Sequence, residues 1–561
     1  MATLRIAGGR VVDPANGVNE EVRDLWIDGS QVISPPADRA AKAGRTIDAR
    51  GYVVMPGGVD VHSHIAGSKV NGARALRPEE RRSRDAVWLR REGFRSGTAG
   101  SVPSTFVTGY QYAGLGYTTA ADAAIPPLGA RQAHAEFRDT PLLDKLMLVL
   151  MGNHHAIMDH VGGGDHVRLR QTVAWLLESA KGFGVKVVNP GGVEQWKQGG
   201  TRLAAWDDRV DRFGVTPRQI ALGLARAVDE LGLPHPVHLH GMNLGVPGNW
   251  ETTLEGMRAL DGHRVHMAHI QFHSYGGSAD QKGDFGPMVG PLADHVNTHE
   301  GLTVDVGQVL FGETTCMTAD GPVGQYLAGL TGRKWLSVDI EQEDGCGVVP
   351  ITYDNRNHVH ALQWAIGLEW FLRVDDPWRI ALSTDHPNGG SFLAYPQIIA
   401  LLMDHGLRTE AMAHLPEAVK RMSGLSAISR EYTLSEIAII TRAAPARILG
   451  LPRKGQLGPG ADADITIYAP DDDKRRMFAL PRYVIKAGEV VVDDGELRAA
   501  PPGATLLVAP EVDPGARLEL DAWFLSEASV HPSSFRVGEG EVSLPLVVDS
   551  GVTNPHRSIR C

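Results

Sequence analysis

The stretch that decides the fold is MPGGVDVHSH, residues 55–64. It ends in His62 and His64, and side chains two residues apart on a β-strand point to the same face. If this stretch is a strand, both imidazoles can therefore reach one metal ion. Taken alone, such a pair is more often a polar strand end than a metal site. The glycine-rich segment PGG before the histidines allows the chain to pack closely against its neighbours, and this favours a metal site.

Outward from this stretch, the chain repeats a strand followed by a helix from about residue 53 to residue 430. Helical stretches such as 167–183 and 216–232 separate the strand candidates. Eight strand-then-helix units predict a closed (β/α)8 barrel of the TIM type, an α/β fold, rather than an open sheet. The predicted strands are, in order, 53–64, 97–104, 145–152, 184–191, 235–241, 264–271, 302–309 and 379–386.

The two ends of the chain have a different pattern. The first 50 residues alternate short apolar strands with Gly- and Asp-rich turns, and this pattern returns after a last helix that ends at Gly450. We expect strands from both ends to form one small β-sandwich. The predicted organisation is 1–52 for its N-terminal part, 53–433 for the barrel, 434–500 for the last helix and the rest of the sandwich, and 501–561 for an extension of unassigned role.

Composition limits the classes of function. The 561 residues carry a net charge of −11, which argues against nucleic acid as the main partner. The three cysteines, Cys316, Cys346 and Cys561, match neither a disulfide framework nor a thiolate metal site. We find no signal-peptide pattern at the start and no apolar run long enough for a bilayer. These features predict a cytoplasmic protein without a membrane partner.

Further metal-ligand types stand at the ends of later strands, where barrel enzymes carry their reactive groups. Lys186 lies between valines in the fourth strand. Its amine either reaches solvent along the alkyl stem or is desolvated and able to form a carbamate that bridges two ions. His240 and His269 lie nearest the ends of the fifth and sixth strands. Asp385, at the end of the eighth, offers a carboxylate that can bind metal and carry a proton.

Three other histidines, His238, His266 and His273, stand close to these positions. They are open to three interpretations: support for the ligands, contact with substrate, or hydrogen-bonded core residues. The order His-x-His, Lys, His, His, Asp on strands one, four, five, six and eight is hard to obtain by chance. It predicts a divalent-metal site built from His62, His64, Lys186, His240, His269 and Asp385.

That order is similar to the binuclear amidohydrolases, which include dihydroorotases and hydantoinases. The frame resembles theirs too, with MPGGVDVHSH at the front and AAPARILGL and GQLGPGADADITIY at the back. More narrowly, the chain resembles the A subunits of formylmethanofuran dehydrogenases and of bacterial formyltransferase/hydrolase complexes, from the N-terminus to about residue 500. The motifs that carry this resemblance are VKVVNPGG (185–192), HLHGMNLGVPGN (238–249), HMAHIQFHSYGG (266–277), VDIEQEDGCGVVP (338–350) and LSTDHPNGG (382–390).

The resemblance implies a metal-dependent hydrolase of the C–N bond in an N-formyl amine of the methanofuran or methylofuran type. Such an enzyme releases formate and the free amine in one-carbon metabolism, beside other subunits of its complex. The Arg-rich, Lys-poor composition is typical of GC-rich bacterial genomes and favours the hydrolytic complex. The alternatives are the reverse condensation within a formylmethanofuran dehydrogenase, a cyclic-amide hydrolase such as a hydantoinase, and a scaffold subunit without catalysis.

The resemblance also implies roles for the candidate residues. His62, His64 and Asp385 would hold one zinc ion, His240 and His269 a second, and N6-carboxylated Lys186 would bridge the two. Asp385 would pass a proton from water to the departing amine. His273 or Asn243 would stabilise the tetrahedral oxygen, and Asp60 would orient ligand imidazoles.

Two arginines are candidates for substrate binding. The segments 71–85 and 108–119 are predicted to be loops over the barrel mouth. Arg74 and Arg77, in the first of them, would meet the acidic tail of a methanofuran-type carrier. The alternative is a solvated charged loop.

Overall fold

The computed structural model of the 561-residue chain describes residues 4–38, 42–81, 87–88, 92–278, 285–337 and 347–549. Cys346, Cys561, residues 82–85 of the first predicted mouth loop and residues 338–346 of one quoted motif lie outside this part of the chain. Within it, no helix is both long enough and apolar enough to cross a membrane.

Eight parallel strands form the predicted barrel, and each pairs with its neighbours in chain order. The eighth strand meets the first through a parallel bridge between Ser63 and His386, where the His64 N–H donates to the His386 carbonyl at 2.8 Å. The (β/α)8 fold is therefore confirmed. The barrel strands are Gly58–Ser63, Tyr117–Ile125, Asp144–Leu150, Gly184–Val188, Val237–His240, Val265–Met267, Leu302–Asp305 and Ile380–Ala381.

The prediction for the second barrel strand was wrong. Gly97–Thr98 pairs only with Val87–Trp88 in a short hairpin, and the barrel strand is Tyr117–Ile125. The sequence of that strand, YTTAADAAI, is rich in Ala, which is a weak strand former, and it is buried along its whole length. The predicted mouth loop 108–119 is instead the helix Thr105–Gly114 leading into this strand.

Helices surround the barrel and pack their apolar faces on it. The predicted helices 167–183 and 216–232 are present as His166–Ala180 and Pro217–Glu230, and a Thr216–Gln219 capping box begins the second. The α-helices are Ser68–Leu76, Thr105–Gly114, Ala130–Asp139, His155–Gly162, His166–Ala180, Gly192–Lys197, Pro217–Glu230, Asn249–Ala259, Val289–Thr298, Gly321–Thr331, His358–Arg373, Tyr395–Met403, His405–Ala413, Glu417–Met422, Leu434–Ala438, Ala444–Ile448, Lys474–Ala479, Pro514–Glu527 and Pro532–Phe535.

Strands from the two ends of the chain pair in one continuous nine-stranded sheet around its own apolar core. Ile465–Tyr468 runs antiparallel to Val53–Pro56, which leads directly into the first barrel strand. The terminal sheet therefore fixes the backbone that carries His62 and His64. Its strands are Leu4–Asp13, Val18–Asp28, Gln31–Ile33, Arg45–Asp48, Val53–Pro56, Ile465–Tyr468, Tyr483–Lys486, Glu489–Asp493 and Glu496–Leu497.

The C-terminal segment adds to the barrel. Thr505–Leu507 pairs in parallel with the third barrel strand and also with Pro545–Val547. The helix Pro514–Glu527 packs on His166–Ala180, with the Phe524 and Trp175 ring centroids 5.8 Å apart. The remaining strands form small antiparallel groups: Val87–Trp88, Gly97–Thr98, Tyr275–Gly276, Gly286–Pro287, Gly312–Thr318, Leu336–Ser337 and Gly347–Tyr353.

A buried cluster of charges joins the barrel to the terminal sheet. Lys486 Nζ lies 2.7 Å from Asp144 Oδ2 and 2.9 Å from Asp464 Oδ2, and Lys454 contacts both carboxylates as well. Burial alone would raise the pKa of Asp144, but the charges of Lys486 and Lys454 lower it well below its usual range. These four residues sit between the third barrel strand and the sheet, so they couple the two.

We predict that Lys486→Met lowers the thermal unfolding temperature strongly at neutral pH. Removing Lys486 leaves the two buried carboxylates with the single charge of Lys454, and breaking a buried ion pair in this way costs about 3–5 kcal/mol. A depressed carboxyl pKa contributes stability above the unfolded-state value of about 4 and loses it as the pH falls. The gap between wild type and Lys486→Met, followed by circular dichroism, should therefore shrink towards pH 3.

Arg50→Met is the matched control, because the Arg50–Asp48 ion pair is exposed to solvent. Its unfolding temperature should stay close to wild type at every pH. An equal shift in both variants, or a gap for Lys486→Met that grows in acid, would contradict the proposed coupling.

Candidate metal centre

The candidate residues line the inside of the barrel in layers. Lys186, His238 and His266 are register partners on the fourth, fifth and sixth strands, so they share one level of the barrel interior. His240 stands one level higher, at the end of the fifth strand. His269 follows the sixth strand. Period-2 alternation thus brings residues from distant parts of the sequence to one end of the barrel.

The first group of donors consists of His62, His64 and Asp385, all buried. His62 Nε2 lies 3.1 Å from Asp385 Oδ1, and His64 Nε2 lies 3.0 Å from the same oxygen. Burial alone would raise the pKa of Asp385, but His62 and His269 lower it well below its usual range. Two imidazoles and a carboxylate therefore converge within 4.8 Å of one another, as the sequence predicts.

The second group consists of His240, His269 and His273, again with donor atoms within 4.8 Å of one another. His269 Nε2 is 3.1 Å from His240 Nδ1, and burial lowers the pKa of all three imidazoles, which keeps them neutral. The His62 and His269 ring centroids are 5.3 Å apart, so the two groups are neighbours. This arrangement fits two ions side by side. His273, expected to stabilise the tetrahedral oxygen, is grouped here with two of the ligand candidates.

Lys186 faces the barrel interior and does not reach solvent. Burial lowers its pKa to about 7, against the opposing charges of Asp305 and Asp385. Its Nζ has no hydrogen-bond partner among the described residues. A buried, partly neutral amine without a partner is able to react as a nucleophile.

A layer of hydrogen bonds supports the donors from below. Asp305, the last residue of the seventh strand, accepts from His62 Nδ1 at 3.0 Å and from His266 Nε2 at 3.1 Å. The Ser383 hydroxyl donates to the other oxygen of Asp305 at 2.5 Å. His238 lies between His62 and His235, at 3.2 and 3.1 Å. His238 and His266 thus belong to the supporting layer.

Asp305 is a functional candidate that the sequence reasoning missed. The seventh strand, 302–309, was recognised without a ligand, because a lone Asp after apolar residues has no partner nearby in sequence. Asp60, expected to orient imidazoles, instead accepts the backbone N–H of His62 at 3.1 Å. Tyr112 and Tyr395 donate to it, and burial raises the pKa of Asp60 to about 6.

Two further carboxylates complete the surroundings of the donors. Asp320 Oδ2 lies 3.4 Å from His240 Nε2, and the Asn189 amide donates to its other oxygen at 3.2 Å. Asp122 Oδ1 lies 3.7 Å from His64 Nδ1, and its other oxygen accepts from the backbone N–H of Ile65. An imidazole that has a carboxylate on one nitrogen is oriented, as metal-bound histidines usually are.

The backbone at the centre is unusual where the donors stand. Asp385 and His269 adopt φ of +50° and +34°, a left-handed region that side chains rarely occupy. Gly307 leaves room for His269 at this point, because a Cβ at Gly307 would lie 2.5 Å from the Cβ of His269. Strain of this kind collects at functional sites.

The donors fit divalent metal. Buried polar atoms normally have hydrogen-bond partners. Here four buried atoms lack one within the described part of the chain: Lys186 Nζ, His269 Nδ1 and both ring nitrogens of His273. Imidazole and carboxylate donors suit zinc and related ions. The uncompensated atoms are therefore explained if metal occupies the space between them.

The arginine candidates already have internal partners. Arg74 Nη1 lies 3.2 Å from Glu136 Oε1, and its Nε donates to the Pro103 carbonyl. Arg77 is buried and pairs with Glu80 at 3.0 Å. The predicted loop that carries them begins with the helix Ser68–Leu76. Their contact with an acidic carrier stays a prediction, although these ion pairs reduce the charge available for it.

The amide of Asn243 is also engaged. Its Nδ2 donates to the Ala204 carbonyl at 2.7 Å, and its Oδ1 accepts from Arg202 at 2.6 Å. These bonds hold the loop that follows the fifth barrel strand. Of the two residues expected to stabilise the tetrahedral oxygen, only His273 has buried nitrogens without a partner among the described residues.

A model of the amidohydrolase family matches residues 45–492, a range that spans every barrel strand and both donor groups. The chain belongs to the amidohydrolase family. It is a hydrolase of C–N bonds. The terminal sheet and the barrel are both part of the amidohydrolase fold.

Two curated amidohydrolase relatives are similar to the chain over most of its length. Protein FwdA of Methanocaldococcus jannaschii is 44% identical over 526 residues, covering 90% of this chain and 91% of the relative. The A subunit of the formyltransferase/hydrolase complex Fhc of Methylorubrum extorquens is 40% identical over 544 residues, covering 95% and 96%.

A solved structure matches as well. It is the crystal structure of the formyltransferase/hydrolase complex FhcABCD from Methylorubrum extorquens in complex with methylofuran. One of its chains superimposes on this amidohydrolase with a TM-score of 0.90 and 39% identity, covering 96% of this chain and 97% of that one.

We predict that Asp305→Asn weakens metal binding about 10- to 100-fold, because His62 loses the carboxylate that orients its ring. Competition with a graded chelator, followed by the metal that the protein retains, measures this change. The matched control is Asp229→Asn, which breaks a similar Asp–His contact of 2.9 Å to His263 outside the centre. If both variants retain metal like wild type, Asp305 does not support the centre.

Proposed function

We propose that this amidohydrolase hydrolyses an N-formyl amine of the methylofuran type to formate and the free amine, using zinc, within a formyltransferase/hydrolase complex. The observation that carries the proposal is the pair of adjacent donor groups at the end of a barrel that matches the FhcABCD chain at a TM-score of 0.90. The methylofuran bound in that complex, and the 40% identical relative from the same kind of complex, support the substrate class and the partner subunits.

In this proposal, His62, His64 and Asp385 would hold one zinc ion, while His240 and His269 would hold the second. The neutral Nζ of Lys186 would add to CO₂ and lose a proton, and the resulting carbamate would be a further ligand between the two donor groups. The pKa of about 7 supports this step, because near neutral pH much of the amine is unprotonated. Zinc supplies, when bound, a hydroxide nucleophile near neutral pH and an electrophile for the formyl oxygen.

The chain's own groups then direct the protons. Asp385 accepts the proton that water loses as it adds to the formyl carbon, and it returns this proton to the amine nitrogen as the C–N bond breaks. Its depressed pKa is consistent with an ionised acceptor at rest. His273, with its pKa lowered by burial, is a neutral imidazole able to donate an N–H to the developing oxyanion. Cleavage gives formic acid and the neutral amine, and the acid then loses its proton to become formate while the amine takes up a proton.

We predict that Asp385→Asn lowers kcat for release of formate from an N-formyl amine by about 10²- to 10⁴-fold, the usual contribution of general acid–base catalysis. An enzymatic formate assay on the purified protein measures this. The matched control is Asp375→Asn, at an exposed position outside the barrel centre, which should keep normal turnover. Near-normal turnover by Asp385→Asn with unchanged metal content would reject the proton-transfer role.

We predict that Lys186→Ala loses formate release and regains part of it with added acetate or propionate, because a short carboxylate replaces the missing bridge. Lys145→Met is the matched control, since Lys145 is also buried in a barrel strand and burial lowers its pKa to about 7 too. Its amine, however, donates to the Thr140 carbonyl at 2.7 Å. Full activity of Lys186→Ala without added acid would show that Lys186 is not a ligand.

The substrate class is tested separately. The purified protein is incubated with N-formyl amines, hydantoins and dihydroorotate. We expect turnover of the N-formyl amines alone. Turnover restricted to the cyclic amides would overturn the proposed substrate and leave the metal centre intact.

A further inference from the structure

A second cluster of metal-ligand side chains lies away from the barrel centre. It consists of Asp261, His295 and His299, whose donor atoms lie within 4.8 Å of one another. Asp261 precedes the sixth barrel strand, and both histidines precede the seventh. The cluster is therefore at the N-terminal end of the barrel, whereas His240, His269 and Asp385 are at the C-terminal end.

The local structure arranges these donors. His295 lies in the last turn of the helix Val289–Thr298 and His299 is the residue that ends it, so the two are four positions apart and share one face. Their rings are stacked, with centroids 3.7 Å apart. His295 Nε2 lies 3.4 Å from Asp261 Oδ1, and His299 Nε2 lies 3.6 Å from Asp261 Oδ2.

His295 is the independent observation that points to a ligand. Its side chain is 8% exposed, and its buried Nε2 has no hydrogen-bond partner among the described residues, although it faces the Asp261 carboxylate. A buried nitrogen without a hydrogen-bond partner normally destabilises the folded state. A metal ion between the two side chains would give this nitrogen a partner that it shares with the Asp261 carboxylate.

The tautomer of His299 suits the same role. Its Nδ1 lies 2.8 Å from the His295 carbonyl, which places the proton on Nδ1 and the lone pair on Nε2, toward Asp261. A metal-bound histidine commonly donates its other ring N–H to a backbone carbonyl. The rings are not needed to neutralise the helix end, because Arg379 donates to the carbonyls of Val296 and His299.

We propose that Asp261, His295 and His299 form a second, structural binding site for a zinc-type divalent cation. Two imidazoles and one carboxylate select zinc and neighbouring transition metals over calcium and magnesium, which prefer oxygen ligands. A bound ion would tie the turn after the helix Asn249–Ala259 to the end of the helix Val289–Thr298. It would hold together the segments that precede two adjacent barrel strands. A ligand on its solvent-accessible side would complete its coordination.

Equilibrium dialysis against zinc tests the proposal with the full-length protein. His299→Ala and Asp261→Asn change a half-buried and an exposed ligand, and His263→Ala is the matched control, since His263 is a nearby histidine that pairs with Asp229 instead. We expect wild type and His263→Ala to bind one more zinc ion per chain than the two ligand variants. Hydrolytic turnover should be equal in all four proteins.

Thermal unfolding gives a second readout. Added zinc should raise the unfolding temperature of wild type and of His263→Ala more than that of either ligand variant, because an ion that binds only the folded state stabilises it. Equal zinc content and equal thermal response in all four proteins would overturn the proposal. So would a loss of zinc in His299→Ala that is accompanied by a parallel loss of turnover, because the ion lost would then belong to the barrel centre.

Discussion

The metal centre is defined by buried donor atoms that lack hydrogen-bond partners at the C-terminal end of the barrel. Buried polar atoms without partners cost free energy, and here they include Lys186 Nζ on the fourth strand and ring nitrogens of His269 and His273 after the sixth. A divalent cation bound beside them would remove that cost. The layer beneath, with Asp305 between His62 and His266, has its hydrogen bonds satisfied and holds the imidazoles in place. The centre is therefore built for a ligand that the chain itself does not supply.

The rest of the fold serves this arrangement. Within the terminal sheet, Val53–Pro56 leads directly into the barrel strand that carries His62 and so fixes the start of that strand. The buried cluster of Asp144, Asp464, Lys454 and Lys486 connects that sheet to the third barrel strand. The C-terminal segment pairs with the same barrel strand. Each of these contacts holds the N-terminal end of a barrel strand from outside the barrel.

The sequence predicted the barrel, and the structure brings together at one end of it His62, His64, His240, His269 and Asp385, which the sequence named as candidate ligands. It could do so because period-2 alternation and strand-end position are local properties of the chain. It failed at the strand Tyr117–Ile125, whose burial is decided by tertiary packing and not by strong strand formers. It also missed Asp305, and it did not anticipate the internal ion pair of Arg74 with Glu136, because both depend on residues distant in the chain.

The central claim is that two divalent ions occupy the space between the two donor groups. Anomalous X-ray diffraction at the zinc edge, on crystals of freshly purified protein, tests it most directly. We expect two peaks about 3.5–4 Å apart, the usual spacing in binuclear sites, one beside His62, His64 and Asp385 and the other beside His240 and His269. A map without a peak in that space, with these side chains turned away from one another, would contradict it.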